Sequence, residues 1–163
     1  MRNPAARHRP PAARRACQAL LARVGAEVEQ QPRRFFTVDE ANALLPEIEP
    51  LVRRLQRLGQ ELSEVRSRLS AWQWKARANG HIGLADLEAD TRLARQLTEE
   101  VQALVERIQA FGCEVKDLEM GLVDFPALRK GRPVYLCWRL GEPRVAYWHE
   151  LETGFAGRRP IDW

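Results

Sequence analysis

The chain has 163 residues, a length that suits one domain or one domain with a tail. Hydrophobic residues make up 45% of it, as in globular proteins, but no run approaches the roughly 20 apolar residues that cross a bilayer. Residues 1–34 hold eight arginines against two glutamates, so the rest of the chain is slightly acidic. This distribution removes the main argument for a folded part that binds nucleic acid.

Residues 1–34 form a basic leader that is rich in arginine, alanine and proline and is predicted to be mostly disordered. Ala19 to Val28 has the spacing of a short amphipathic helix. The leader either contacts nucleic acid or anionic lipid, or is unstructured, with a start codon assigned too early as one explanation. It lacks the continuous apolar stretch of a secretory signal, so we expect a cytoplasmic protein. Residues 35–163 are predicted to be a single domain.

A helix is predicted to start at Thr37-Val38-Asp39-Glu40, which reads as a capping box. The Thr37 hydroxyl can accept the Glu40 amide proton, and the Glu40 carboxylate can reach back to the Thr37 amide. Asp39 and Glu40 also place negative charge at the positive end of the helix dipole.

The strongest periodic signal follows this start, as apolar residues that alternate steps of three and four. They are Ala41, Leu44, Ile48, Leu51, Leu55, Leu58, Leu62, Val65, Leu69 and Trp72. Such spacing indicates a heptad seam. Pro46 and Pro50 interrupt it, and each removes an amide donor. We therefore expect a short helix near 38–45, a kink or break, and a long helix from Pro46.

A turn is predicted at residues 75–83, and a second stripe runs from Ala94 to Phe111 with the same steps. Gly112 suits a left-handed helix cap. Residues 38–111 should therefore form a long antiparallel α-hairpin paired along its heptads. Two helices alone leave apolar surface exposed, so we expect a homodimer with a four-helix arrangement.

Residues 113–163 are predicted to form a small three-stranded antiparallel sheet and a tail, which makes the fold α+β. The strands are centred on 122–125, 134–140 and 145–151, with a turn at Gly141-Glu142-Pro143. If Arg139 pairs with Arg144, Tyr135 lies opposite Trp148. One face of the sheet should pack on the helices and the other on a partner or the tail.

The sequence resembles the uncharacterised bacterial domain-of-unknown-function family 2203 over about residues 36–161. Several separate segments carry the resemblance in order: Phe36-Thr37 with Glu40-Ala41-Asn42, Leu44-Leu45-Pro46, Glu114-Val115-Lys116-Asp117, Gly121-Leu122-Val123-Asp124-Phe125-Pro126, Tyr135-Leu136-Cys137-Trp138, Tyr147-Trp148-His149 and Gly154-Phe155-Ala156-Gly157-Arg158. The resemblance implies a bacterial cytoplasmic protein and supplies no catalytic residues.

Candidate catalytic residues, if the protein is an enzyme, are His149, Glu150, Asp124 and Asp117. A histidine beside carboxylates can bind a divalent metal or act as a general acid and base. His149 could pair with Asp124, Asp117 or Glu119. The competing interpretation is a half-buried histidine that holds a loop by hydrogen bonds. Metal-ligand spacings of the zinc type are missing, so we assign no metal ligand and expect no cofactor.

The segment Gly154 to Pro160 could offer amides and guanidinium groups to a phosphate or carboxylate. The alternative is an arginine anchor that ties the tail to acid at Glu150 or Glu152. The candidate binding residues are Arg139, Trp148, His149, Arg158 and Arg159.

The tryptophans and cysteines have mainly structural interpretations. Trp138 and Trp148 should belong to the core, whereas Trp72 and Trp74 should cap the helix seam or anchor a partner. Cys137 is expected to pack rather than to act as a nucleophile. The cysteines are expected to be reduced, with a Cys113–Cys137 disulfide as the less favoured alternative.

Three functions remain open from the sequence. The first is a non-enzymatic interaction or scaffold protein that self-associates through its helical hairpin, with a possible protein partner. The second is a small metal- or phosphate-dependent enzyme with its site on the sheet. The third is nucleic-acid binding through the leader.

Overall fold

The computed structural model of the chain describes residues 34–79 and 83–163. The predictions for the leader, including its short helix, lie outside these residues. Two helices are followed by a five-stranded antiparallel sheet, which confirms the α+β class. The elements are α1 (Val38–Asn79), α2 (Leu84–Gln109), β1 (Glu114–Asp117), β2 (Leu122–Arg129), β3 (Arg132–Arg139), β4 (Tyr147–His149) and β5 (Arg159–Pro160), with a 3-10 turn at Phe155–Gly157.

Helix α1 begins at the predicted capping box. The Thr37 amide donates to Glu40 Oε2 at 2.8 Å, and the Glu40 amide donates to Thr37 Oγ1 at 3.2 Å. The predicted separate helix near 38–45 was wrong, because α1 continues through Pro46 and Pro50. Both prolines are exposed, so the carbonyls that they leave unpaired lie on the solvent side. The opposite face is buried and holds the helix in one piece.

The two helices pack against each other in antiparallel order. Arg54 contacts Glu100 near the sheet, and Arg68 contacts Asp90 further along the helices. After α2 ends, Gly112 adopts a φ of +92°, the left-handed conformation predicted for it. None of the described helices combines the length and hydrophobicity that a membrane span requires.

The sheet is a meander in the order β1-β2-β3-β4-β5. The prediction of three strands was wrong, because the short strands β1 and β5 extend both edges. The predicted register was also wrong by one residue, since Tyr135 pairs with His149 and Leu136 pairs with Trp148. The cause lies before β4, where the Val145 amide donates to Asn42 Oδ1 on α1 at 2.8 Å. Val145 is therefore bonded to the helix and does not start the strand.

Alternation along the strands gives the sheet two faces. The inner face packs against the helices and contributes to the main hydrophobic core through Val123, Phe125, Leu136, Trp138 and Trp148. Both predicted core tryptophans, Trp138 and Trp148, lie there. The outer face carries polar side chains. Arg158, from the chain after β4, contacts this part of the sheet through the Tyr147 ring and the Cys137 carbonyl oxygen.

Candidate functional site

Three side chains from adjacent strands meet on the outer face of the sheet. Asp124 of β2 pairs directly with Cys137 of β3, and His149 of β4 pairs with Tyr135, two residues before Cys137. The carboxylate, thiol and imidazole atoms of Asp124, Cys137 and His149 all lie within 4.8 Å of one another. Their exposed fractions are 1%, 0% and 2%. We refer to these three residues as the outer-face cluster.

The His149 ring is held at both nitrogens. Nε2 lies 3.1 Å from Asp124 Oδ2, and Nδ1 lies 2.7 Å from the Glu150 carbonyl oxygen. Because a carbonyl only accepts, Nδ1 carries a proton and donates it. Burial lowers the pKa of His149, but the hydrogen bonds to Asp124 and to the Glu150 carbonyl outweigh burial, so the net pKa is raised.

The thiol of Cys137 is a weak nucleophile in this environment. Burial raises its pKa most, and the nearby Asp124 carboxylate raises it further. The thiol is thus protonated at neutral pH. Asp124 Oδ1 is itself buried and has no hydrogen-bond partner of good geometry among the described residues. A carboxylate oxygen in that position is costly unless a further group satisfies it.

Arg158 lies next to the cluster but uses its charge internally. Its Nη2 donates to Glu142 Oε2 at 2.6 Å and to the Cys137 carbonyl oxygen at 3.2 Å. The guanidinium carbon also lies 4.2 Å from the centre of the Tyr147 ring. The side chains of Arg158 and Glu142 are only 11% and 15% exposed. Arg158 therefore ties this segment to an acidic residue, as in the anchor interpretation, but the acid is Glu142 and neither Glu150 nor Glu152.

The remaining predicted site residues lie apart from the outer-face cluster. Asp117 Oδ1 accepts from the amides of Glu119 and Met120 at 2.8 and 2.9 Å, so this carboxylate caps the turn after β1. The side chain of Glu150 is exposed and lies 3.6 Å from Arg159. Arg139 is also exposed. Of the four candidate catalytic residues, only Asp124 and His149 have side chains that come together.

Trp148 lies on the inner face and borders a separate groove of about 600 Å³ at the end of the sheet. The groove is lined by the basic residues Arg129, Lys130 and Arg132, the acidic residues Glu150 and Glu152, and the apolar residues Pro133, Val134, Trp148 and Leu151. The Arg129 guanidinium lies 4.4 Å from the Trp148 ring centre and 4.8 Å from that of Trp163. This mixed lining does not select one charge of ligand.

Cys137 is the member of the cluster whose sequence pattern predicted packing and no role in a site. The assumed register put His149 on the face of Leu136, away from the Cys137 side chain. With the observed register, Asp124, Cys137 and His149 share one face. The distinguishing signal was Asn42, whose side chain binds the Val145 amide, but a contact 103 residues apart leaves no local pattern.

Cys113 and Cys137 are free thiols, so they do not form the alternative disulfide.

No curated protein and no solved structure matches this chain. Residues 34–161 match the model of a family described as "Uncharacterized conserved protein (DUF2203)". This match spans most of the chain and includes the helices and all five strands, so the protein belongs to the DUF2203 family.

Proposed function

We propose that this protein is a non-enzymatic interaction protein that self-associates through the distal part of its helices. The distal arm is defined as residues 66–79 of α1 and 84–96 of α2. The buried residues of α1 end at Val65, and those of α2 begin at Leu97. None of the described side chains in the distal arm is buried. The proposal rests on this observation. The apolar seam of the two helices extends beyond the sheet and the hydrophobic core, so nothing in the described chain covers its outer part.

The seam of the distal arm is half covered. Leu69, Trp72, Leu87 and Ala94 have intermediate exposure, as expected when one helix covers only one side of another. A second hairpin packed along the same heptads would cover the open side and form a four-helix arrangement. Burial of apolar area contributes about 25 cal/mol per Å² to such an assembly before the entropic cost of association is subtracted.

Exposed apolar side chains flank this seam. Trp74 is 72% exposed, Leu84 is 70% exposed and Leu93 is 39% exposed. Large apolar side chains at this exposure favour a contact with another protein surface. They offer positions where a charge can be introduced without entering the core.

The charge of the distal region is compatible with pairing of two identical copies. The distal arm itself contains six basic and three acidic side chains, and the adjoining residues 60–65 and 97–99 add three acidic ones, so two copies that overlap along residues 60–99 meet no net charge. Within one copy, Arg68 donates to Asp90 at 2.7 Å and Trp72 Nε1 donates to the same carboxylate at 3.3 Å. These contacts tie α1 to α2 and reduce the ordering cost of association.

Sedimentation equilibrium over a wide concentration range tests this proposal. We expect a dimer for the natural chain and a dissociation constant at least about tenfold higher for Leu84→Glu/Leu93→Glu, equal to about 1.4 kcal/mol. Leu128→Glu is the matched control, because Leu128 is 48% exposed but lies on β2. A natural chain that stays monomeric, or a dimer that is weakened as much by Leu128→Glu, would contradict self-association through the arm.

The rival enzyme function has less support. A substrate must reach its catalytic groups, and the side chains of His149 and Asp124 are both 2% exposed. Arg158 is already neutralised by Glu142, which weakens the case for a phosphate site there. The nucleic-acid alternative depends on the leader, which lies outside the described residues.

A further inference from the structure

We infer that Asp124, Cys137 and His149 bind one divalent transition-metal ion, for which zinc is the best chemical match. The three residues offer one thiolate sulfur, one imidazole nitrogen and carboxylate oxygen. Zinc accepts this mixture of donors in proteins, whereas magnesium and calcium prefer oxygen alone. The inference concerns the sheet and is independent of self-association through the distal arm.

The spacing of the donor atoms fits such an ion. Zinc bonds of about 2.0–2.3 Å in tetrahedral geometry place neighbouring donor atoms roughly 3.3–3.8 Å apart. His149 Nε2 and Asp124 Oδ2 are 3.1 Å apart, and all the donor atoms lie within 4.8 Å. Shifts of about 1 Å or less therefore bring the side chains to bonding distance. The strands that carry them are adjacent and hydrogen-bonded, so the backbone can stay in place.

His149 already has the orientation of a metal ligand. Its Nδ1 donates to the Glu150 carbonyl oxygen at 2.7 Å, which fixes the ring and directs Nε2 toward Asp124 and Cys137. Histidines that bind metals commonly donate their second ring N–H to a carbonyl or carboxylate in this way. The contact therefore supplies the outer shell that a metal site requires.

A second observation independently points to an ion. Asp124 Oδ1 is buried without a hydrogen-bond partner of good geometry, although Oδ2 contacts His149. Binding of the ion through both carboxylate oxygens satisfies Oδ1 and gives four donor atoms in total, in a geometry distorted from tetrahedral because the two oxygens of one carboxylate lie closer together than donors from separate residues. The site then needs no further side chain among the described residues.

The charge balance also favours a dication. The neighbouring cations are already paired, since Arg158 contacts Glu142 and Lys116 contacts Glu114. A carboxylate and a thiolate together offset the two positive charges of the ion. Binding displaces the Cys137 thiol proton, so at least one proton leaves per ion.

The location of the cluster assigns the ion a structural role. Its three ligands lie on β2, β3 and β4, so the ion links the three central strands of the sheet. Their exposures of 0–2% leave no room for a substrate at the ion. Binding to the folded chain alone stabilises that state by mass action.

Titration of metal-depleted protein with cobalt tests the inference. The protein carries Cys17→Ser, so that Cys113 and Cys137 are the only thiols that can contribute to the signal. We expect one equivalent of Co²⁺ to produce the visible bands of a four-coordinate ion and a near-ultraviolet thiolate-to-cobalt band. Zinc should abolish both signals and raise the melting temperature. At least one proton per ion should appear in weakly buffered solution.

Variants assign the signal to the cluster. Cys137→Ser should abolish the thiolate band and weaken binding by roughly a hundredfold or more, and His149→Gln should weaken binding similarly. Cys113→Ser is the matched control, because Cys113 is equally buried but lies outside the cluster, and it should leave the titration unchanged. Circular dichroism checks folding, and His149→Gln decides the outcome if Cys137→Ser does not fold.

Two results would overturn the inference. One is a folded natural chain that shows no four-coordinate cobalt spectrum at millimolar Co²⁺. The other is a thiolate-to-cobalt band that survives Cys137→Ser or disappears in Cys113→Ser.

Discussion

The His149 imidazole contacts the Asp124 carboxylate at 3.1 Å, although β3 separates the strands that carry these two residues. Both side chains are almost fully buried, so neither has water as an alternative partner. This polar contact is satisfied only in the observed register of β2, β3 and β4. A slip of one residue would turn one partner toward the apolar inner face, where it would lie unpaired.

The contact predicts that Asp124 is important for stability even without metal. In the presence of a chelator, Asp124→Ala should lower the free energy of unfolding by about 3 kcal/mol, because His149 is left buried without its partner. Asp124→Asn should cost less, since an amide can still hydrogen-bond the ring. Urea denaturation measures both changes.

The matched control for this prediction is Asp162→Ala. Asp162 contacts Arg129 at 3.3 Å, but its side chain is 69% exposed, so the change should be about 0.5 kcal/mol or less. If Asp124→Ala and Asp162→Ala lower the free energy of unfolding equally, the buried contact between Asp124 and His149 stabilises the fold no more than an exposed ion pair does.

Gly121 is predicted to be irreplaceable in the turn before β2. Its φ is +61°, and an added Cβ would lie 2.7 Å from Leu140 Cβ and 3.1 Å from Val52 Cγ1. The segments around Gly121 and Leu140 are held close because the Leu140 amide donates to the Gly121 carbonyl oxygen at 3.0 Å. Gly121→Ala should therefore destabilise the fold by about 3 kcal/mol through both strain and overlap.

Gly141→Ala separates these two causes. Gly141 has a φ of +95°, but an added Cβ would meet nothing within 4 Å, so only the backbone strain remains. We expect a loss of about 1 kcal/mol by thermal or urea unfolding. If both alanine variants lose the same stability, the close approach at Gly121 is relieved by movement of Leu140.

The helices were largely predictable from the sequence because their signals are local. The capping box at Thr37 and the apolar stripe lie within a few residues of the structure that they specify. Pro46 and Pro50 misled the prediction, since local rules break a helix at proline, whereas the buried face beside them maintains it. Ile48 and Val52 are fully buried on that face and outweigh the missing hydrogen bonds.

The sheet and the cluster were less predictable because their register depends on distant contacts. Strand positions followed from composition, but β5 has only two residues and leaves no periodic pattern. The contact between Asn42 and Val145 decides where β4 starts, and therefore which residues face Asp124. The pairing of His149 with Asp124 was among the alternatives that the sequence offered, whereas the inclusion of Cys137 required the correct register.

Acid is predicted to weaken the tie between Arg158 and Glu142. Burial raises the pKa of Glu142, but the hydrogen bonds from Arg158 and the Arg139 amide outweigh it and hold the pKa below the ordinary 4.5. A carboxyl group with a lowered pKa contributes stability above its unfolded pKa and loses that contribution as pH falls through the folded value. Glu142→Gln should thus cost about 2 kcal/mol at pH 7 and progressively less below about pH 4.5.

Unfolding free energies of the natural chain and Glu142→Gln between pH 7 and pH 3 measure this difference. Glu150→Gln is the control, because Glu150 and Arg159 form a pair in which both side chains are more than half exposed. Such a pair contributes little, so we expect no measurable change at either pH. If the stability lost in Glu142→Gln is the same at every pH, the negative charge of Glu142 does not stabilise its contact with Arg158.

The buried thiols are predicted to resist labelling until the protein unfolds. Burial raises the pKa of Cys113 to about 12, and burial with the Asp124 charge raises the pKa of Cys137 further. At pH 8 a thiol with a pKa near 12 is only about 0.01% thiolate, the form that reacts. In a Cys17→Ser background, a disulfide reagent should therefore modify Cys113 and Cys137 at the same slow rate, and this rate should rise with urea concentration. Peptide mass mapping can follow the modification of each thiol.

Fast modification of Cys137 alone would contradict this prediction. It would show that the chain after β4 opens the outer face without unfolding the helices, because Cys113 would remain protected in the main core.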